Sequence, residues 1–412
     1  SQNDPGTVPS LTDVDLQKKI SSLHEHIWKY FVHPETNLIY DYIAPLHEKN
    51  RWKHLPAVEE INTGKPNLAG WGTGMEDCAL NGGAYLTGMV YRFLSSGKME
   101  YAEEARKIYR GLQRLGTISG QKGFVARALL PDGKSYYPNS SADQYTLYVF
   151  GLWTYYHSNI ASELEKKQIQ TIIHDICTRI ENDNFEILSS DHKTAQYCNI
   201  GAISPDRSSR LLEIYLIGYD ITNEKHWLDI YIEKLNENEY ARCKEIMDPS
   251  GLKRYLTYSL LQNQVSLIAL FELESMIPIK ACYLNAIKTN AKIVENRVIS
   301  FKNYSSEIHS DNYSLGGWRN GQEPRPAGMN EEYHLVRVPS EAMFIMLLAN
   351  NKYLFEPLKG EQDEQYTEYL RNTCRELLSA YDYEKMRTFG FIYAEIVYWL
   401  AVKQNLFEYT SE

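Results

Sequence analysis

The stretch MEDCALNGGAYLTGMVYRFLSSGKMEYAEEARKIYRGLQRL, residues 75–115, decides the fold. Its first half predicts a helix over 75–95, and its second half predicts an amphipathic helix over 99–115 with one face in solvent. Gly82, Gly83 and Gly88 are small enough for another helix to pack closely against the first of the two. Because only Ser96-Gly-Lys98 separates them, the pair is predicted to form an antiparallel hairpin with a buried and an outer member.

The same unit recurs along the 412 residues. Periodicity predicts twelve helices, at 14–32, 75–95, 99–115, 142–157, 160–182, 207–220, 224–242, 255–274, 278–297, 339–350, 362–380 and 388–403. Short links follow the second, fourth, sixth and eighth helices: Ser96–Lys98, Ser158–Asn159, Ile221–Asn223 and Ser275–Ile277. Long links recur in phase with them, at 33–74, 116–141, 183–206, 243–254 and 298–338. This alternation indicates hairpins whose short turns lie at one end and whose long loops lie at the other.

We therefore predict an all-α fold, an (α/α)6 barrel or six-hairpin toroid, with the even-numbered helices inside. Residues 13–412 are predicted to form a single catalytic domain, and residues 1–12 a flexible N-terminal tail. Gly123–Arg127 is expected to be a short extended piece.

Composition excludes several classes of function. The net charge is −10 and no basic cluster occurs, so nucleic acid is not an expected partner. No apolar run is long enough for a membrane span. The six cysteines form no CxxC pair and are expected to be free buried thiols. The polar start, rich in Pro and Gly, favours an exported or periplasmic protein of bacterial type whose signal segment has been removed. The oligomeric state is open.

Aromatic usage points to sugar. The chain has 32 Tyr and 7 Trp against 12 Phe. Tyr and Trp combine an apolar face with a hydrogen-bonding tip, and sugars present C–H patches ringed by hydroxyls. Most of these side chains are expected to fill a helical core, and those in loops to contact a ligand.

The first candidate constellation is GWGTGMEDCALNGG, residues 70–83. Its glycines allow the backbone to bend sharply and approach a ligand. Thr73 and Glu76 fit a capping box for the following helix, whereas Asp77 has no evident structural role and is predicted to face the ring axis. Trp71 and Glu76 are candidate substrate-binding residues.

The second constellation, YYPNSSADQY at residues 136–145, begins the next inner helix. Ser140 or Ser141 is expected to cap this helix, which places Asp143 in its first turn. A single acidic residue there is explained by the helix macrodipole, but Asp77 and Asp143 stand at equivalent places on neighbouring inner helices. Tyr137 and Gln144 are candidate substrate-binding residues beside them.

Two carboxylates in one site have a definite chemical use. Like charges at short range cannot both ionise freely, so the pKa of one group rises and that group can donate a proton at neutral pH. Cleavage of a glycosidic bond needs an acid at the leaving oxygen and a base or nucleophile opposite it. Asp77 and Asp143 are therefore the predicted catalytic pair.

With these motifs and this alternation of short and long links, the chain resembles the six-hairpin glycosidase superfamily. The resemblance is to the unsaturated glucuronyl and rhamnogalacturonyl hydrolases and related uronic-acid-releasing glycosidases in particular. The resemblance implies an (α/α)6 barrel with one Asp at the start of each of two successive inner helices, which Asp77 and Asp143 match. It further implies hydration of the C4–C5 double bond of a terminal unsaturated uronic acid, with one Asp donating the proton and activating water. The surroundings of both Asp residues depart from the family pattern, so release of a saturated uronic acid stays open.

The third constellation runs from His309 to His334 and combines aromatic, cationic and acidic side chains. Trp suits the face of a pyranose ring, and Arg suits a carboxylate. An equally supported alternative is that these arginines form ion pairs with glutamates of the same loop and bind no ligand. The candidate substrate-binding residues from this part of the chain, together with one Arg from an earlier loop, are Arg207, Trp318, Arg319, Arg325, Tyr333 and His334. No HxH or HExxH motif occurs, so no metal and no cofactor is predicted.

The predicted function is that of a glycoside hydrolase acting on oligosaccharides from uronic-acid-containing polysaccharides. A polysaccharide lyase that uses Tyr333, His334 and Arg325 is one alternative, and a sugar epimerase that uses His309 and His334 is another. The third alternative is a glycan-binding protein without catalysis, which would need no carboxylate pair.

Overall fold

The fold consists of long helices joined by alternately short and long links. The structure is a computed structural model that describes residues 10–41, 58–62, 74–194, 199–308, 329–350 and 363–411. Within these ranges the long helices are α1 (Asp13–Tyr30), α2 (Cys78–Ser96), α3 (Met99–Leu115), α4 (Ala142–Tyr156), α5 (Glu163–Asn182), α6 (Ser208–Thr222), α7 (Lys225–Ile246), α8 (Thr257–Leu273), α9 (Ile277–Val298), α10 (Val338–Asn350), α11 (Glu364–Ala380) and α12 (Phe391–Lys403). Every predicted helix is present, with its ends within four residues of the prediction.

Shorter elements lie in the links. They are Val58–Asn62, Pro249–Leu252, Ile299–Asn303, Ser306–Ile308, Met329–Glu332 and Tyr383–Lys385, together with a π-helical turn at Tyr333–Arg337 that leads into α10. The helical backbone of α7 is interrupted at residues 237–240.

Local sequence signals explain where several helices begin and end. Ser162 and Glu165 form a capping box at the start of α5, and Ser141 accepts from the backbone N–H of Gln144 at the start of α4. At the end of α2, Gly97 has a φ of +69°, a left-handed conformation that glycine adopts without strain. This conformation lets α3 begin at Met99 and makes the first hairpin tight.

The even-numbered helices are buried all round. Every residue from Cys78 to Arg92 of α2 is buried, as is every residue from Phe391 to Val402 of α12. On α3, in contrast, burial is confined to one stripe that includes Ala102, Ala105 and Tyr109. We call α2, α4, α6, α8, α10 and α12 the inner helices.

Contacts between the inner helices form a closed cycle. The helix α2 contacts α4, α4 contacts α6, α6 contacts α8, α8 contacts α10, α10 contacts α12, and α12 contacts α2. No strand occurs among the described residues, and the all-α class is confirmed. These pairwise contacts do not establish the (α/α)6 double ring, which stays a prediction.

Residues near the two ends of the chain lie side by side. Gln17 of α1 donates to the carbonyl of Thr410 over 2.8 Å and accepts from the Thr410 N–H over 3.0 Å. Asp13 accepts from the backbone N–H of Glu408 over 2.8 Å. The first outer helix therefore contacts both the last inner helix, α12, and the segment that follows it.

Some local expectations have different outcomes. Residues 123–127 form no strand, because Val125 donates its N–H to the Tyr145 hydroxyl and Ala126 donates to the carbonyl of Leu115. The free-thiol prediction is confirmed for the five described cysteines, all of which are buried, while Cys198 lies outside the described residues. Among the helices that the structure describes, none combines the length and apolarity that a membrane crossing requires.

Candidate active site

The N-terminal ends of the six inner helices meet at one end of the contact cycle, which we call the N-terminal face. Each pair of neighbours is joined there by side chains. The contacts are Gln144 with Leu80, Asp143 with Arg210, Arg210 with Ser259, Tyr258 with Arg337, Arg337 with Phe389 just before α12, and Tyr393 with Asn81. Helix N-termini carry partial positive charge, so this face favours anionic groups.

Asp77 is the residue immediately before α2, and its side chain forms no cap. Its Oδ1 instead accepts a hydrogen bond from Gln144 Nε2 over 2.7 Å and lies 3.5 Å from Arg127 Nη2. Oδ2 has no hydrogen-bond partner among the described residues, and 24% of the side chain is exposed. Thr73 of the predicted capping box lies outside the described residues, and Glu76 is not the third residue of the helix as that box requires, because α2 begins at Cys78.

Asp143 lies in the first turn of α4, as predicted, with Ser141 as the cap. Its Oδ1 is 2.5 Å from Nη1 of Arg210, a fully buried side chain. Arg210 also donates through Nη2 to Ser259 and through Nε to the carbonyl of Asp206. The Oδ2 of Asp143 has no described partner and the side chain is 25% exposed. Both predicted catalytic residues are thus anchored at one oxygen and open at the other.

Gln144 anchors one acidic residue and follows the other in the chain. It follows Asp143 in the chain, is fully buried, and donates to Asp77 while its Oε1 accepts the Leu80 N–H over 2.9 Å. The sequence predicted Gln144 as a substrate-binding residue, but in the structure its side chain is occupied with positioning Asp77. The two aspartates therefore stand at the starts of neighbouring helices, and the residue after Asp143 anchors Asp77.

A second pair of carboxyl groups lies behind Asp77. The backbone N–H of Glu76 donates to Asp41 Oδ2 over 3.3 Å, and Glu76 Oε2 accepts from the N–H of Gly74 over 3.2 Å. Burial, the charges of Glu76 and Asp77, and a hydrogen bond to Glu76 raise the pKa of Asp41 well above its usual value. Glu76 is itself buried, so it contributes to the electrostatics behind Asp77 and is not open to a substrate.

Across the face from Asp77 lies an ion pair that the sequence analysis did not select. Arg337 donates through Nε to Glu341 Oε1 over 2.8 Å, and the Glu341 side chain is 1% exposed. Burial raises the pKa of Glu341 to about 7, although the charge and hydrogen bond of Arg337 act in the opposite direction. Tyr333, a predicted substrate-binding residue, is half-buried, with its ring centre 5.4 Å from the guanidinium of Arg337.

Two buried donors beside Asp77 have no acceptor. Nδ2 of Asn81 and Nη1 of Arg127 make no hydrogen bond to any residue that the structure describes. A buried donor without an acceptor costs about 1–3 kcal/mol, so the two groups are a local cost to stability beside Asp77.

The other predicted site residues have varied positions. Tyr137 is 2% exposed, so its side chain belongs to the core. Arg207 precedes α6 with Nε 3.6 Å from Asp206, and His334 is exposed with its ring edge-on to Tyr333. Trp71, His309, Trp318, Arg319 and Arg325 lie outside the described residues.

Asp41, Arg127, Arg337 and Glu341 were the residues that sequence reasoning missed. Glu341 had a usable signal, because it is a lone carboxylate in the apolar run from Val338 to Leu348. Arg337 stands four residues before it, the spacing of an ion pair on one helix face. Asp41 had no comparable signal, since only the tertiary fold brings it next to Glu76.

Two grooves on the surface lie away from this site. One, of about 530 Å³, is bordered by Tyr219, Tyr231 and Met276 near the ends of α6 and α8. The other, of about 770 Å³, lies between Lys18 and Lys19 of α1 and residues 379–384. Neither contains a carboxylate pair next to a buried guanidinium, so the polar contacts, rather than groove size, locate the candidate site. In the described part of the chain, no cluster of three or more His, Cys, Asp or Glu residues is arranged to hold a metal ion.

Comparison with known proteins does not place the chain in a class. No family model matches it, and no curated protein matches its sequence.

Proposed function

We propose that this protein is a glycoside hydrolase that releases a terminal uronic acid from oligosaccharides, with Asp77 and Asp143 as its acid and base groups. The observation that carries the proposal is the shared geometry of the two carboxylates. Each is fixed at Oδ1 by a side chain that is itself buried, and each keeps an Oδ2 without a described partner in a side chain that is about a quarter exposed.

Such a pair can divide the work of hydrolysis. One carboxyl group donates a proton to the departing sugar oxygen, or to C4 if the uronic acid is unsaturated, while a carboxylate removes a proton from the attacking water. The donating group loses one proton and the other carboxylate gains one from the water, so the pair keeps its total charge, and proton exchange with solvent restores each group.

A panel of uronic-acid-terminated oligosaccharides, saturated and unsaturated, tests the proposal when products are read by mass spectrometry. We expect Asp143→Asn and Asp77→Asn each to lower kcat by about 100- to 10,000-fold with little change in Tm. Asp220→Asn is the matched control, because Asp220 is also 25% exposed and is hydrogen-bonded at its carboxylate, to His157, at the far end of α6. Full activity in both Asn variants would rule out the carboxylate mechanism.

A lyase is the second candidate, favoured by the proximity of Tyr333, His334 and Arg337. Lyases create an unsaturated uronate end, which absorbs in the ultraviolet, whereas hydrolysis of an unsaturated uronide removes that absorbance. The sign of the absorbance change on polymeric and oligomeric uronates separates the two reactions, and Tyr333→Phe would abolish only the lyase reaction.

A further inference from the structure

Arg337 occupies an unusual place in the backbone. It is the last residue of the π-helical turn Tyr333–Arg337, which continues directly into α10. Such turns insert one extra residue into a helix and occur frequently at functional sites. Here the turn places Tyr333 and Arg337 on the N-terminal face.

The guanidinium of Arg337 is surrounded by aromatic rings. It lies 4.6 Å from the ring centre of Phe389, 5.4 Å from that of Tyr333 and 5.6 Å from that of Tyr258. Aromatic faces attract a cation without accepting its hydrogen bonds in the plane of the guanidinium. Only Nε is bonded, to Glu341, and neither Nη1 nor Nη2 has an acceptor among the described residues.

The charge of Arg337 is incompletely balanced. Burial lowers its pKa, but the charge of Glu341 and the neighbouring tyrosines raise it by more, so the guanidinium stays cationic. Glu341, with a pKa near 7, is partly protonated at neutral pH. Asp77 acts electrostatically on both Arg337 and Tyr393, and the Tyr393 hydroxyl donates to Asn81 of α2, the helix that Asp77 precedes.

We propose that Arg337 binds the carboxylate of the terminal uronic acid through Nη1 and Nη2, and so selects acidic over neutral sugars. The planar fork of a guanidinium matches a carboxylate with two parallel hydrogen bonds. The substrate in this inference rests on the proposed function. The two arginines that contact the aspartates are less suited, because Arg210 uses all three of its nitrogens within the protein, and Arg127 has two nitrogens bonded and the third buried.

Calorimetric titration tests the inference. The ligands are two free hexuronates, glucuronate and galacturonate, and the matching neutral hexoses, glucose and galactose. We expect the wild-type protein to bind a hexuronate more tightly than its hexose. Arg337→Met should weaken hexuronate binding about 10- to 100-fold and leave hexose binding unchanged, and Arg337→Lys, which keeps the charge but not the fork, should fall between. Arg92→Met is the matched control, because Arg92 is also ion-paired and packed on aromatic rings, at the opposite end of α2.

Several outcomes would overturn the inference: no hexuronate binding by the wild type at millimolar concentration, equal hexuronate binding by Arg337→Met, or equal loss of both sugars in Arg337→Lys. If Arg337→Met does not fold, Arg337→Lys carries the test. Hexuronate binding that depends on Arg337 in a protein without glycosidase activity would refute the proposed function and leave this inference standing. If the Arg337 variants turn over uronides with an unchanged KM, the proposed function stands and this inference is refuted.

Discussion

Gln144 donates a 2.7 Å hydrogen bond to Asp77 across two neighbouring helix ends, while Asp143, the residue before it, points its own carboxylate at Arg210. One dipeptide of α4 therefore supplies one acidic group and positions the other. The anchors of the two aspartates, Gln144 for Asp77 and Arg210 for Asp143, can be tested separately.

Replacing Gln144 with Leu should lower kcat by about 10- to 100-fold, because Asp77 loses its shortest anchoring bond and the Leu80 N–H loses its acceptor. The unpaired groups should also cost about 1–3 kcal/mol of unfolding free energy. Steady-state kinetics and urea unfolding measure the two effects. Gln264→Leu is the control, since Gln264 is equally buried but donates to the carbonyls of Ile287 and Ile345. An equal fall of kcat in both variants would mean that stability alone explains the loss.

Replacing Arg210 with Lys should lower kcat by about 10- to 100-fold, because a single ammonium cannot contact Asp143, Ser259 and the Asp206 carbonyl together. Rates measured at a temperature where the variant is fully folded check this. Arg179→Lys serves for comparison: Arg179 is 4% exposed and donates to the carbonyl of Ser189. If Arg210→Lys keeps its wild-type rate, Asp143 does not need this anchor.

The pH dependence of stability should report an ion cluster between α1, α3 and α12. His24 lies 2.7 Å from Glu395 and 2.9 Å from Glu104, which also pairs with Arg92. Burial lowers the pKa of His24, but the two carboxylates raise it further, to about 9. Its folded pKa exceeds the unfolded value near 6.5, so its stabilisation is complete below pH 6.5 and disappears as the pH rises through 9.

Urea unfolding from pH 6 to 10 measures this contribution, which should be roughly 3 kcal/mol. In His24→Asn the decline in unfolding free energy at alkaline pH should be smaller, so the difference in stability between the two proteins narrows as the pH rises.

At the acid end, burial raises the pKa of Glu104, but its contacts with His24 and Arg92 lower it to about 2. The stabilisation by Glu104 is therefore present above pH 4.5 and lost towards pH 2. If the unfolding free energies of the wild type and His24→Asn change in parallel above pH 6.5, His24 is not the source of the alkaline decline.

The close approach of α2 and α4 should tolerate no side chain at Gly83. A Cβ there would lie 2.2 Å from the carbonyl oxygen of Leu147, a backbone atom that cannot turn aside. We expect Gly83→Ala to cost about 3 kcal/mol or more. At Gly88 a Cβ would meet Ile396 Cγ1 at 2.7 Å, a side-chain atom that can move, so Gly88→Ala should cost less. Both changes add the same helix propensity, and the difference between their unfolding free energies isolates the contact. Equal losses of unfolding free energy in the two variants would refute the predicted clash between Gly83 and Leu147.

The helices and their order could be read from the sequence because the information is local. Apolar periodicity, Ser141 and Ser162 as caps, and Gly97 as a terminator act within one or two turns, and the structure has these helices within four residues of their predicted ends. The place of Asp143 in the first turn of α4 followed from the same local rules.

The surroundings of those residues depended on the tertiary structure. Gln144 is separated from Asp77 by 67 residues, and Arg210 from Asp143 by the same number, so no local pattern could pair them. The partners of Arg337 and the contact between Asp41 and Glu76 arise in the same way. Periodicity decides which residues are buried, whereas electrostatics and hydrogen bonding depend on which residues become neighbours, and in a closed cycle of helices those neighbours come from distant parts of the chain.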